Sequence, residues 1–90
     1  MALTRQLAAE GAAHGIRVNS VSPGLIATPT IRQLLNDVPQ RLMSMVDCTY
    51  SHLPGNPEEV AVAALFLVAD QSSYLSGANL VVDGGPTVLI

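Results

Sequence analysis

The spacing of apolar positions divides this chain into segments of different character. Leu3 and Leu7 stand four apart in a stretch of helix-favouring Ala, Leu, Gln, Arg and Glu, which predicts a helix over residues 1–13. No capping residue or proline precedes it, and Gly15 can take the left-handed conformation that stops a helix. Residues 16–22, Ile-Arg-Val-Asn-Ser-Val-Ser, predict a strand halted by Pro23-Gly24. Between Ala27 and Pro54 no period dominates. Ile31, Leu34, Leu35 and Val38 suggest one short helix, Leu42, Met43, Met45 and Val46 another, and Pro29, Pro39 and Pro54 interrupt the region. An excursion of that length inside a small domain is expected to be a lid, a binding loop or disorder.

The next signal is the sharpest. Asn56-Pro57-Glu58-Glu59 supplies a cap, a proline at the first helical position and an acid at the third, and acids suit the positive end of a helix. Val60–Ala69 is apolar nearly all round, which predicts burial on more than one side. Leu80-Val81-Val82 is a continuous apolar run, as in a parallel strand covered on both faces, and Asp83-Gly84-Gly85 ends it. The order is helix, strand, lid loop, helix, strand. Its last part is a strand–helix–strand crossover with parallel strands. The fold class predicted is α/β.

Composition narrows the partners. The chain has 90 residues, 49% of them apolar and 12% charged, enough for one modest core and too apolar for a disordered tail. A net charge of -3 gives no basic footprint for nucleic acid. No run approaches a membrane span, and no basic-then-apolar leader opens the chain. A single Cys48 cannot form an internal disulfide, so the cytoplasm is the expected location. Cys48 and His52 are four apart, but a metal site needs three or four ligands and only His14 remains, so no metal is expected.

Four stretches in register resemble the short-chain dehydrogenases/reductases: Leu3–Glu10, Gly15-Ile-Arg-Val-Asn-Ser-Val-Ser-Pro-Gly24, Gly55-Asn-Pro-Glu-Glu-Val-Ala61, and Asp70-Gln-Ser-Ser-Tyr-Leu-Ser-Gly77 running into Leu80-Val-Val-Asp-Gly-Gly85. The resemblance covers about residues 1–85. It implies the C-terminal portion of a Rossmann-like, doubly wound parallel sheet that binds NAD or NADP. It also implies hydride transfer between nicotinamide and a carbonyl or alcohol substrate, and a homo-oligomer. The family's Gly-rich loop is expected upstream, as is its Tyr-x-x-x-Lys pair. Tyr50 and Tyr74 are followed four positions later by Pro54 and Ala78, and the chain has no Lys, so no catalytic residue is assigned here. The expectation is a partial domain over residues 1–90, inactive alone, with a substrate lid at residues 30–53.

The resemblance puts cofactor contacts on Pro23 and Gly24 against the nicotinamide ring. It puts a backbone contact to the carboxamide on Ile26 and a hydroxyl contact on Thr28. Thr28 could equally be a helix cap. Ser51-His52-Leu53-Pro54 departs from the Gly and basic residue that relatives often carry before Gly-x-Pro-Glu-Glu. The alternative function is a non-catalytic association module that oligomerises with full-length relatives. Neither the substrate nor the choice between NAD and NADP can be read from these residues.

Overall fold

A computed structural model describes residues 1–86. Helix α1 spans Ala2–Ala12, strand β1 Ser20–Pro23, helices α2 and α3 Pro29–Asp37 and Met43–Asp47, helix α4 Pro57–Val68, and strand β2 Asn79–Val82. Single 3-10 turns lie at Pro39–Arg41 and Asp70–Ser72. The two strands run parallel, with Ser20 opposite Asn79 and Pro23 opposite Val82, and α4 packs on both. The predicted α/β order is therefore the observed one.

The capping signal before α4 has its expected structure. Glu59 Oε1 accepts from the Asn56 N–H at 3.3 Å and from Asn56 Nδ2 at 3.3 Å, with Pro57 starting the helix. Strand β1 is shorter than the predicted 16–22 and starts four residues later. Residues 17–19 instead tie down the loop before β2. Gly77 N–H donates to Val18 O (2.7 Å), Val18 N–H to Ser76 Oγ (3.2 Å) and Ala78 N–H to Asn19 Oδ1 (3.0 Å). Gly77 is left-handed (φ 78°), so the facing segment offers no extended backbone for a ladder.

Arg17 holds the end of α4. Its Nη1 donates to Ser72 O at 2.8 Å and Leu75 O at 3.0 Å, and its Nη2 to Ala69 O at 3.3 Å. These carbonyls lie at and after the end of α4, and each has a second donor: Ser72 N–H to Ala69 O (3.2 Å), Leu75 N–H to Ser72 O (2.9 Å) and Asn19 Nδ2 to Leu75 O (3.0 Å). Buried Ser72 adds a bond from Oγ to Phe66 O at 2.7 Å.

The apolar run on α4 is not buried on more than one side as expected. Leu67 is buried, but Val62 and Leu65 are 66% exposed and Val68 75%. A helix with one sheet face against it can cover only one stripe, and among the described residues no second layer meets the other. Buried apolar residues are Ala27, Val46 and Leu67, while Leu3 and Leu7 on α1 are also exposed. The surface of 6426 Å² compares with roughly 5,000 Å² for a compact monomer of this mass. The radius of gyration of 15.7 Å compares with about 12 Å for a compact domain of this length. The isolated chain is accordingly expected to run as a dimer or larger assembly in size exclusion with light scattering, or to lose fixed packing. A monodisperse monomer of 9.4 kDa with protected amides in both strands would contradict this.

Candidate functional site

Parallel strands present their C-terminal ends together, and in open α/β sheets that edge is where ligands bind. Here it carries Pro23-Gly24 from β1 and Asp83 after β2, beside a cleft of about 840 Å³. Pro23, Gly24 and Leu25 line one part of it, and Ser44, Met45 and Cys48 another. The cleft runs along the sheet face that carries Ser22, Asn79 and Val81; α4 covers the opposite face, where Leu80 and Val82 are better buried.

Close approach explains the glycine at the strand end. Gly24 N–H donates to Val82 O at 3.0 Å, and a Cβ on Gly24 would stand 2.6 Å from Asp83 Cβ and 2.8 Å from Asp83 Cα. The strand ends are therefore drawn together to a separation that no other residue allows. After β2 the chain turns through left-handed Gly84 (φ 71°) and Gly85 (φ 111°), with Gly85 N–H donating to Asp83 Oδ1 at 2.8 Å. This is the strand-ending turn expected from the sequence.

Ile26 faces Gly55 in an isolated parallel bridge. Gly55 N–H donates to Leu25 O (2.9 Å) and Ala27 N–H to Gly55 O (2.7 Å), so the polar groups of Ile26 point away from Gly55. Ile26 O accepts from Thr28 N–H at 2.7 Å. Among the described residues Ile26 N–H has no hydrogen-bond partner.

Thr28 takes the capping role. It is the N-cap of α2, and its Oγ1 accepts from Ile31 N–H at 3.3 Å. An Oγ1 accepting in this way still has its own proton to donate, so the cap and a ligand contact are compatible. Pro23 and Gly24 stand on the cleft wall. Ile26 and Thr28 follow them along the chain but do not line it.

The lid predicted over residues 30–53 contains α2, a 3-10 turn and α3, and it is anchored at both ends. At the first, Arg32 Nε donates to Ala27 O at 3.0 Å. At the second, Tyr50 N–H donates to Gly84 O at 2.9 Å, and buried Thr49 donates from Oγ1 to Val46 O at 2.8 Å while accepting from Leu53 N–H at 3.2 Å. A Cβ on Gly84 would lie 3.2 Å from Thr49 Cβ, so the turn after β2 and the end of α3 sit close enough that a side chain there would press on Thr49, and the left-handed backbone at Gly84 adds strain of its own. Cys48 and His52 do not share a helix face, because α3 ends at Asp47 and His52 sits in a left-handed turn (φ 57°). Among the described residues no group of three or more His, Cys, Asp or Glu side chains could hold a metal, and no helix is long and apolar enough to cross a membrane.

Sequence reasoning missed the pair Ser22–Asn79, in which Ser22 Oγ donates to Asn79 Oδ1 at 2.9 Å on the cleft wall. The partners are far apart in sequence, and only the strand register brings them together. It also missed the anchor at Thr49, for which the composition of residues 43–53 gives no signal.

A family model described as enoyl-(acyl carrier protein) reductase matches residues 1–87. The galactitol 2-dehydrogenase (L-tagatose-forming) of Cereibacter sphaeroides is 45% identical over 86 residues, covering 96% of this chain and 34% of that protein. A solved 4-hydroxyisoleucine dehydrogenase in complex with NADH superposes with a TM-score of 0.84 at 35% identity, over 97% of this chain and 35% of that one. A candidate 2-deoxy-d-gluconate 3-dehydrogenase from Agrobacterium tumefaciens with bound NADP gives a TM-score of 0.87 at 38% identity, over 97% and 35%. The chain thus spans about a third of the length of the relatives it matches. The match runs through α1, both strands and the capped helix α4 at once, and it shows that this chain belongs to the short-chain dehydrogenase/reductase family.

Proposed function

We propose that this chain is the C-terminal part of an NAD(P)-dependent oxidoreductase that moves hydride between nicotinamide and a carbonyl or alcohol. In this reading residues 1–90 are a partial Rossmann-like domain, the rest of the cofactor site lies upstream, and the protein works in the cytoplasm as a homo-oligomer. The carrying observation is the unpartnered Ile26 N–H just beyond Pro23-Gly24, at the C-terminal edge of parallel strands. Ile26 is half-buried as a residue, and an amide donor withheld from water and without an acceptor costs stability, so a carboxamide oxygen would be a fitting acceptor.

A nicotinamide held here would supply the hydride acceptor for a carbinol carbon, or the hydride donor for a carbonyl carbon. The chain's own residues position and enclose. Pro23-Gly24 offers a flat, side-chain-poor wall for a ring. Ile26 N–H orients a carboxamide, the Thr28 hydroxyl donates a second bond, and residues 30–53 exclude water from the cleft. The proton leaving the alcohol oxygen passes to a base that this chain does not supply. The isolated chain is therefore expected to show no turnover of secondary alcohols with NAD or NADP above a no-protein control.

The test uses the longer protein carrying this chain. Thr28→Val is expected to raise the dissociation constant for NADH several-fold in calorimetry, since one net hydrogen bond is worth about 0.5–1.5 kcal/mol. Thr28→Ser should restore it. Unchanged affinity in Thr28→Val would leave Thr28 with capping alone.

A second reading, an association module that pairs with full-length relatives, is favoured by the exposed apolar residues of α1 and α4, Leu3, Leu7, Val62, Leu65 and Val68. Mixing the chain with a full-length relative and finding no change in the relative's mass by light scattering would remove it.

A further inference from the structure

Asp83 is the one Asp or Asn of this chain that stands before a glycine. The order has a chemical consequence. The main-chain amide that follows an Asp or Asn can attack its side-chain carbonyl carbon and close a cyclic imide, and a side chain on the following residue shields that nitrogen. Glycine shields nothing. The geometry adds two conditions. Gly85 N–H donates to Asp83 Oδ1 at 2.8 Å, so the carboxyl is folded back along the main chain, and the ring closed by that bond contains both Asp83 Cγ and the Gly84 nitrogen. Among the described residues the Gly84 N–H has no hydrogen-bond partner to give up. Asp83 and Gly84 also line a recess of about 220 Å³, shared with Asn56 and Glu59, through which water reaches them.

Asn19-Ser20 is the nearest rival by sequence, since serine is the next smallest residue to follow an Asp or Asn here. The fold holds that pair still. Asn19 Oδ1 accepts from Ala78 N–H at 3.0 Å, its Nδ2 donates to Leu75 O at 3.0 Å, and the Ser20 N–H donates to Ala78 O at 2.9 Å. Both the attacking nitrogen and the side chain it would attack are therefore engaged, whereas at Asp83-Gly84 the nitrogen is open.

We infer that Asp83 is a site of spontaneous isomerisation to isoaspartate, and that the change releases the end of α3 from the sheet. In the first step the Gly84 nitrogen bonds to Asp83 Cγ and a Cγ–O bond breaks. The oxygen leaves as water, taking the amide proton and the carboxyl proton. Water then adds at the main-chain carbonyl of Asp83 and breaks its bond to the Gly84 nitrogen. The main chain now runs through Cγ and is one methylene longer, with the α-carboxylate as its side group. Composition is unchanged, and no oxidant or other co-reactant is needed. Asp83 Cα and Cβ are packed against Gly24, so the added length is taken up beyond them, at Gly84. Gly84 O is the acceptor for Tyr50 N–H at 2.9 Å, and Gly84 stands against Thr49, so the residue that moves is the one on which this end of the segment rests. The inference is independent of the oxidoreductase reading above, and its test reads no activity.

The longer protein carrying this chain is held in warm neutral buffer and sampled over time. Isoaspartate is read with a methyltransferase that esterifies its α-carboxylate, using radiolabelled S-adenosylmethionine, and the label is located by peptide mapping. Label is expected to grow at the peptide containing Asp83, several-fold faster than at the one containing Asn19. Asp83→Glu should abolish it, because the longer side chain closes the imide poorly. Parallel samples kept in urea give the same comparison for the unfolded chain, so the variant is informative whether or not it folds. In the aged wild type the Tyr50 amide should exchange hydrogen several-fold faster than in fresh protein. Label at Asp83 in urea but not in buffer would mean that the fold protects the turn, and overturns the inference. Label that persists in Asp83→Glu, that is equal at Asn19, or that is absent throughout overturns it as well. Label at Asp83 with unchanged exchange at Tyr50 overturns the release of α3.

Discussion

Gly24→Ala is expected to lower the stability of the chain by about 3 kcal/mol, because two backbones meet where the methyl group would go. The added carbon would stand 2.6 Å from Asp83 Cβ and 2.8 Å from Asp83 Cα, against the roughly 3.5–4.0 Å of an ordinary carbon contact. Neither obstacle is the free end of a side chain, so relief requires the strand ends to part. That movement lengthens the Gly24 N–H bond to Val82 O, now 3.0 Å. For a domain of this size the loss corresponds to a fall in Tm of about 15 °C. Thermal melting by circular dichroism, at one fixed protein concentration, reads it. A variant melting within about 2 °C of the wild type would show that the strand ends give way cheaply.

Arg17→Met should be nearly as damaging although it removes no ion pair with a carboxylate from the structure described. The guanidinium satisfies carbonyls of Ala69, Ser72 and Leu75 at once and also reaches Ser72 Oγ at 3.3 Å. Met keeps much of the stem and loses every donor. Hydrogen bonds from a charged donor are worth about 1.5–3 kcal/mol, and although each carbonyl keeps one other donor, the charged contacts are all lost, so a loss of about 2 kcal/mol is expected. Arg17→Lys should recover only part of it. A single ammonium cannot hold the two nitrogens of a planar fork on separate carbonyls. Urea denaturation midpoints of the three proteins at one concentration decide the matter. A Lys variant equal to the wild type would mean that charge, and not the fork, holds this corner.

Much of the fold was legible because its signals are local. The start of α4 is written in Asn56, Pro57 and Glu59, which meet within one turn, and the left-handed glycines after β2 follow from the strand stopping there. Features that join distant segments were not legible. The start of β1 is decided by Gly77, more than fifty residues on, whose left-handed backbone bonds Val18 but does not extend the ladder to Val18 and Asn19. Arg17 carries no sign of its role, since the carbonyls it serves have no side-chain signature. The exposure of Val62, Leu65 and Val68 contradicts the burial that their apolar character predicts, because a pattern shows that a face needs covering and not what covers it. Of the four residues proposed to meet a cofactor, Pro23 and Gly24 stand on the cleft wall. Thr28 takes the capping role that the sequence offered as one of its two readings, and the contact proposed for Ile26 involves a backbone group that no side chain marks.

The ladder between β1 and β2 joins residues 59 positions apart, as at Ser20 and Asn79. Closing so long a loop loses chain entropy before any strand bond forms in return. Helices α1 and α4 need only neighbours in sequence and can form early, within about a microsecond. The cleft needs Pro23-Gly24 and Asp83 side by side, so its assembly coincides with the slowest event in the chain's folding. Until then both strand edges stay open to other chains, so crowded synthesis is the stage at which this chain is most exposed to misassembly.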